Sequence, residues 1–225
     1  MTTDSAISLI ETLLWEQDAG YSLMDRHLKR LEHSALFFGI PLNLYEIGNL
    51  LTGTAAGFET ERMRVRLLLD QEGVPSITAT PLTPPDPRQP FRFVIARERV
   101  DTDDIYLRHK TTHRAFLDEP RLCATASWGV DEVVFLNQLG QLTEGSYTSL
   151  FLERDGKLLT PSIECGLLPG TLRAELLATG RACEALLYPA DLSTADRIWL
   201  GNSVRGLLLA QLEIPPDSLS EHIGA

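Results

Sequence analysis

Apolar and polar residues recur along the chain with two different periods. Residues 7–15, Ile-Ser-Leu-Ile-Glu-Thr-Leu-Leu-Trp, predict a strand. From Arg62 to Leu69 the alternation has period two, so Met63, Val65 and Leu67 face a core while Arg62, Arg64 and Arg66 face the other way. Between these strands the spacing becomes helical, with Leu28, Leu31, Ala35 and Phe38 in one stripe. Ser22, with Asp25 three residues later, predicts the cap of that helix, and Gly39 before Pro41 predicts its end. Asn43 to Leu51 predicts a second helix.

Pro81 to Pro90 is the most proline-dense stretch. Fixed φ angles and missing N–H donors exclude interior helix or strand there, so it predicts a linker. The expected division is a small N-terminal α/β domain at 1–84, a linker at 85–90 and a larger, cofactor-binding domain at 91–225. Past the linker, strands are expected at 91–96, 132–136, 146–153, 157–160 and 197–200. A short helix is expected between Thr111 or Thr112 and Pro120, and a longer one from Pro169-Gly170 to about Ala185. Together these elements predict an α/β (α+β) chain of two domains.

At 225 residues and 44% hydrophobic content the chain can bury a core, and its net charge of -11 repels a nucleic-acid backbone. No uncharged apolar run approaches membrane-spanning length, and Met1-Thr2-Thr3-Asp4 lacks the basic start of a secretion signal. The expectation is a soluble cytoplasmic protein without nucleic-acid or membrane partners. Cys123, Cys165 and Cys183 contain no C-x-x-C pair, which indicates neither a disulfide framework nor a zinc ribbon.

The chemistry concentrates at Tyr106-Leu-Arg-His-Lys-Thr-Thr-His-Arg114. Of the three lysines, Lys29 and Lys157 read as solvated charges, whereas Lys110 lies among Arg108, Arg114, His109 and His113. Neighbouring cations lower an amine's pKa and leave more of it as a nucleophile of the kind that forms Schiff bases. The plainer alternative is a basic patch at a strand-to-helix junction. Glu144, beside Gly145, can approach a flat ring and hold a pyridine nitrogen protonated, or can be an exposed turn glutamate. Leu168-Pro-Gly-Thr-Leu-Arg173 places glycine and threonine at a helix start able to hold phosphate, or is an ordinary Pro-Gly start. Gly201-Asn-Ser203 offers a further polar turn, and Arg30 alone reads as a surface arginine. His109 and His113 share no recognisable spacing with a third ligand, so no metal is expected.

Taken in order, these segments resemble the class IV aminotransferase family of pyridoxal-phosphate enzymes. Ile10-Glu-Thr12 is similar to that family's F-E-T stretch, His27-Leu-Lys-Arg-Leu31 to its H-L-x-R-L helix, and His109-Lys-Thr-Thr-His-Arg114 to its lysine motif. Thr143-Glu-Gly-Ser146, Leu167-Leu-Pro-Gly-Thr-Leu-Arg173 and Asn202-Ser-Val-Arg-Gly206 also match. The nearest likeness is to the lyase half of fused aminodeoxychorismate synthase/lyase proteins.

The resemblance implies the two-domain, D-amino-acid-aminotransferase-like fold with pyridoxal 5'-phosphate as cofactor. It makes Lys110 the Schiff-base lysine and Glu144 the partner of the pyridinium nitrogen. Arg30, Thr171 and the amides of Thr171 and Leu172 become phosphate ligands, Asn202 and Ser203 lie near phosphate or substrate, and Thr12 lies over the substrate. Arg64, Arg66, Arg108 and Arg205 are candidate clamps for substrate carboxylates. The implied reaction converts 4-amino-4-deoxychorismate to 4-aminobenzoate and pyruvate, toward folate. The alternatives are an aminotransferase acting on an amino acid and a non-catalytic relative serving as a binding subunit. A small-molecule amino substrate, a homodimer and an aminodeoxychorismate synthase subunit are the implied partners.

Two departures bear on this reading. The family carries another strand and a glycine-containing turn before F-E-T, whereas few residues precede Ile10. Ala115 stands where branched-chain enzymes carry tyrosine, and Gly201-Asn-Ser-Val-Arg205 replaces their G-T-A-A-E, which disfavours branched-chain transamination.

Overall fold

The computed structural model describes residues 7–86 and 88–215. Its contacts divide the chain into two units. The first holds the described chain up to Pro85 together with Ile105–Arg114 and Ser203–Arg205, and the second holds the remainder. The lysine segment therefore packs with the first unit although it follows the proline-rich stretch in sequence.

In the first unit, β1 (Leu9–Glu16), β2 (Gly20–Tyr21), α1 (Met24–Phe38), α2 (Leu44–Ala55), β3 (Arg62–Leu69) and β4 (Pro75–Pro81) form an antiparallel sheet of order β2-β1-β3-β4 with two helices. The alternation of β3 is realised as expected: Met63, Val65, Leu67 and Leu69 are buried with Leu9 against Leu31 and Ala35 of α1 and Ile47 and Leu51 of α2. Asn43 caps α2, accepting the Glu46 N–H at 3.2 Å. Ser22 does not cap α1, and its N–H donates to the Leu14 carbonyl at 2.9 Å. Leu23 takes the position before the helix in a left-handed conformation, φ 52°, with no side-chain cap. Gly39, at φ 67°, ends the helix as expected.

The second unit contains β5 (Phe91–Val100), α3 (Ala115–Trp128), β6 (Glu132–Asn137), β7 (Leu142–Gly145), β8 (Ser149–Arg154), β9 (Lys157–Pro161), α4 (Thr171–Ala178), β10 (Ala182–Ala185), α5 (Pro189–Thr194), β11 (Arg197–Asn202) and β12 (Gly206–Leu212). The strand order is β10-β9-β8-β11-β12-β5-β6-β7, and β7 pairs back onto β8, closing six strands with β9 and β10 as an extension. Closure removes free strand edges from the ring. Every residue of β6 is buried, the pattern of a strand covered on both faces.

Several expected boundaries shift. The strand expected at 146–153 begins later, as β8 at Ser149, because 146–148 form a tight turn from an unexpected strand, β7, and in that turn the Gly145 N–H donates to the Thr148 carbonyl at 2.7 Å. The helix expected to reach Ala185 stops at Ala178, and Gly180, at φ 69°, redirects the chain into β10, which pairs parallel to β9. The helix expected to end near Pro120 instead contains that residue and runs to Trp128.

Candidate active site

In the first unit, Lys110 is half-buried and its backbone is tied to the start of β1. The Ile10 N–H donates to the Lys110 carbonyl at 2.8 Å, Leu9 and Thr111 form an antiparallel bridge, and the Thr112 N–H donates to the Ser8 carbonyl at 2.9 Å. On the preceding side, His109 is buried, shares a 2.9 Å hydrogen bond with Ser34 Oγ, and stacks on Phe37 at 4.3 Å and His33 at 5.5 Å between ring centres. Burial, with smaller contributions from His33 and Arg108, pushes the His109 imidazole below its ordinary pKa. Both neighbours of Lys110 are thus fixed by the first unit, one by ring stacking and one by strand pairing. His113 lies against the Tyr106 ring at 4.2 Å, and no group of three His, Cys, Asp or Glu side chains suited to a metal occurs among the described residues.

Arg30 is not a surface arginine. It projects from α1 into a buried cluster in which Glu11 accepts from its Nε at 2.8 Å and its Nη2 at 2.6 Å, while His27 Nδ1 lies 2.6 Å from the same carboxylate. Burial alone would raise the Glu11 pKa. The Arg30 charge and fork, with help from His27, overcome burial and hold it at about 2. Strand alternation turns the next residue, Thr12, to the opposite face of the sheet, directly across from Arg66 in β3. Arg64 is exposed, Arg66 and Arg108 are half-buried, and Arg205 is exposed. Ser203 Oγ reaches the Thr12 carbonyl at 3.5 Å, the long limit of a hydrogen bond.

In the second unit, Glu144 is a buried strand residue rather than an exposed turn glutamate, and its Oε1 accepts the Leu168 N–H at 2.7 Å. That contact brings the carboxylate to the loop leading into α4. Gly170 precedes the helix with no side-chain cap, and a Cβ on it would lie 2.6 Å from Ser149 Oγ. Thr171 is buried at the first helical position. Leu172 packs on the chain at Gly201, where an added Cβ would sit 3.1 Å from its Cδ2. Asn202, the last residue of β11, donates from Nδ2 to the Tyr147 carbonyl at 3.2 Å. Glu144, Thr171, Leu172 and Asn202 therefore gather in one part of the second unit. Arg173 secures the helix behind them through the Pro161 carbonyl at 2.7 Å and an ion pair with Glu184.

The family model of amino-transferase class IV matches residues 8–211. The chain belongs to the class IV aminotransferases. A Mesorhizobium loti structure provisionally named as an amino-acid aminotransferase is 38% identical, with a TM-score of 0.85 over 92% of this chain and 100% of that one. A Schizosaccharomyces pombe protein provisionally named aminodeoxychorismate lyase is 28% identical over 95% of this chain and 93% of its own length. A Thermotoga maritima protein provisionally named branched-chain-amino-acid aminotransferase is 29% identical over 88% of this chain and 72% of its own length.

The α+β fold of this class IV aminotransferase is that of its family, and with membership come enzymatic activity and pyridoxal 5'-phosphate as cofactor. The residues present fit such a group. A helix start with no side-chain cap, preceded by a glycine whose added Cβ would crowd Ser149 Oγ, suits a phosphate, and a buried oriented carboxylate suits a ring nitrogen.

Two acidic residues went unnoticed in the sequence. Glu11 was visible only as part of a motif, and its pairing with Arg30 requires β1 to lie against α1. Glu132 opens the apolar strand Glu-Val-Val-Phe-Leu-Asn137 and is fully buried. A carboxylate beginning such a strand was the one available signal that it must find donors inside the fold.

Proposed function

We propose that this enzyme is a pyridoxal-phosphate-dependent aminotransferase acting on an amino acid. The observation that carries the reading is the 38% identity to the Mesorhizobium loti protein across that chain's whole length, with the lysine, glutamate and helix-start elements all present. Bound cofactor supplies an electron-withdrawing ring that lets the substrate's amino-bearing carbon give up a proton. In this proposal Lys110 anchors the cofactor and then moves that proton as general base. Glu144, oriented by the Leu168 N–H, keeps the ring nitrogen protonated. Arg30, Thr171 and the helix-start amides of Thr171 and Leu172 hold the phosphate, with Asn202 and Ser203 beside them. Arg64, Arg66, Arg108 and Arg205 are candidate partners for the substrate carboxylate. A homodimer is part of the proposal and is measurable by sedimentation.

A second reading, lyase action on 4-amino-4-deoxychorismate, has its own support in the likeness to the Schizosaccharomyces pombe protein and in Thr12, set opposite Arg66 where a hydroxyl can face a substrate. In that reading an aminodeoxychorismate synthase subunit is a candidate partner.

The test begins with absorption spectra of the native protein and Lys110→Ala with added pyridoxal phosphate, before and after borohydride. A visible band covalently fixed in the native protein alone is the expected result, and its absence would end both readings. Product analysis then separates them. Keto acid with pyridoxamine phosphate supports the aminotransferase, whereas pyruvate with 4-aminobenzoate, lost in Thr12→Val, supports the lyase.

A further inference from the structure

Glu132 is fully buried in the second unit, and its partners define a turn rather than a strand contact. Its Oε1 accepts from the Ser146 N–H at 3.0 Å, Ser146 Oγ at 2.6 Å and its neighbour's Val133 N–H at 3.0 Å. Its Oε2 accepts from Thr148 Oγ1 at 2.9 Å and the Tyr147 N–H at 3.3 Å. All five donors are neutral, and three consecutive residues, Ser146 to Thr148, supply four of them. Hydrogen-bond donors crowd both oxygens, the surroundings that a carboxylate's acceptor sites require inside a fold. Gly145 completes the fit, since a Cβ there would lie 2.8 Å from Glu132 Oε2 and 2.3 Å from Thr148 Oγ1.

Every exit from this turn leads to a residue of the candidate site. Glu144 immediately precedes Gly145 on β7 and pairs with Ser149 on β8. Ser149 Oγ is the atom that bounds Gly170 at the start of α4. The Tyr147 carbonyl, which follows two amides directed at Glu132, receives the Asn202 side chain. One buried carboxylate thus fixes the backbone from which the ring partner, the helix-start neighbour and the polar turn are all hung. A hydrophobic residue in its place would leave four turn donors without acceptors in a water-free interior.

We infer that Glu132 is a positioning residue of the active site, which sets Glu144 and Asn202 through the Ser146–Thr148 turn without touching cofactor or substrate. The inference rests on the cofactor reading above, so native protein is the first control in its test. Cofactor dissociation, the wavelength of the bound-cofactor band and the Tm of cofactor-free protein are measured for Glu132→Gln, Thr148→Val, Thr148→Ser and Leu192→Ala. Leu192 is buried in α5 in the same unit, so its truncation controls for general loss of stability.

Glu132→Gln and Thr148→Val are expected to weaken cofactor binding about tenfold or more and to move the band, as a lost or reversed buried hydrogen bond predicts. Thr148→Ser, which keeps the hydroxyl, restores native values, and Leu192→Ala lowers Tm while leaving band and affinity in place. If Glu132→Gln does not fold, the Thr148 pair decides. Native affinity and band in Thr148→Val, or an equal change in Leu192→Ala, would overturn the inference. Failure of the native protein to bind pyridoxal phosphate would remove the cofactor reading and this inference with it.

Discussion

Gly201 pairs with Leu207 in β12, and an added Cβ would lie 2.6 Å from the Gly206 carbonyl oxygen and 3.1 Å from Leu172 Cδ2. A backbone oxygen cannot rotate away as a side chain can, so Gly201→Ala must push the two strands or the start of α4 apart. Overpacking of this kind costs about 2 kcal/mol. Urea unfolding of the cofactor-free protein should show that loss, and cofactor affinity should fall with it because Leu172 stands at the helix start. Gly48 provides the opposite sign: it sits inside α2 with open space around its Cβ position, so Gly48→Ala should stabilise by roughly 0.5–1 kcal/mol. Sequence made both glycines visible but did not distinguish them, since the distinction lies in what another strand places beside each. The same holds for the acidic residues. Glu144 was legible because a carboxylate beside glycine in that motif has a chemical use, whereas the side-chain partners of Glu132 and Glu11 lie 14 to 19 residues away.

Among the elements, α3 shows why local rules set boundaries imperfectly. Proline disfavours helix in the residue before it and lacks the N–H that would reach back one turn, so Pro120 predicted a stop. The helix nevertheless continues to Trp128, because Leu117 and Ala124 are buried and the helix lies on β5 and β6. Tertiary burial therefore outweighs one missing hydrogen bond near the helix start. Pro120→Ala should restore that bond and raise stability by about 1 kcal/mol, the gain being reduced by the greater freedom of the unfolded chain. Thermal unfolding gives the check, and a lower Tm would mean that the ring itself fills space the helix needs. By contrast, β3 and the end of α1 were legible to the residue, since strict alternation and a left-handed glycine are backbone requirements that few other arrangements satisfy. The turn at 146–148, which delays the expected strand to Ser149, was not legible, because it is made by a carboxylate from β6.

Across the whole molecule, two fully buried carboxyls, Glu11 in the first unit and Glu132 in the second, respond to acid in opposite directions. The Glu11 carboxyl, held at about 2 against an ordinary 4.5, favours the folded first unit fully above pH 4.5 and loses that contribution as pH falls toward 2. The gap corresponds to roughly 3 kcal/mol, a large share of the stability of a small unit. Glu132 in the second unit has its pKa raised by burial, against the pull of its hydrogen-bond donors. Its contribution is therefore fully present below pH 4.5 and is lost as pH rises through the folded value, so acid does not weaken the second unit through this group. Asp86, Asp101 and Asp191 are also held below their ordinary pKa, but they lie near solvent, where such pairing contributes little. Hydrogen exchange near pH 3, corrected for the intrinsic rate, should show protection lost in Leu9–Glu16 and Met24–Phe38 before Glu132–Asn137 and Leu142–Gly145. Glu11→Gln should remove the acid dependence of that order, the first unit being weakened at neutral pH as well, since Arg30 is then buried beside an uncharged partner. Simultaneous loss in both units of the native protein would show that the Glu11 cluster does not control acid unfolding, because a single global opening would then precede its protonation.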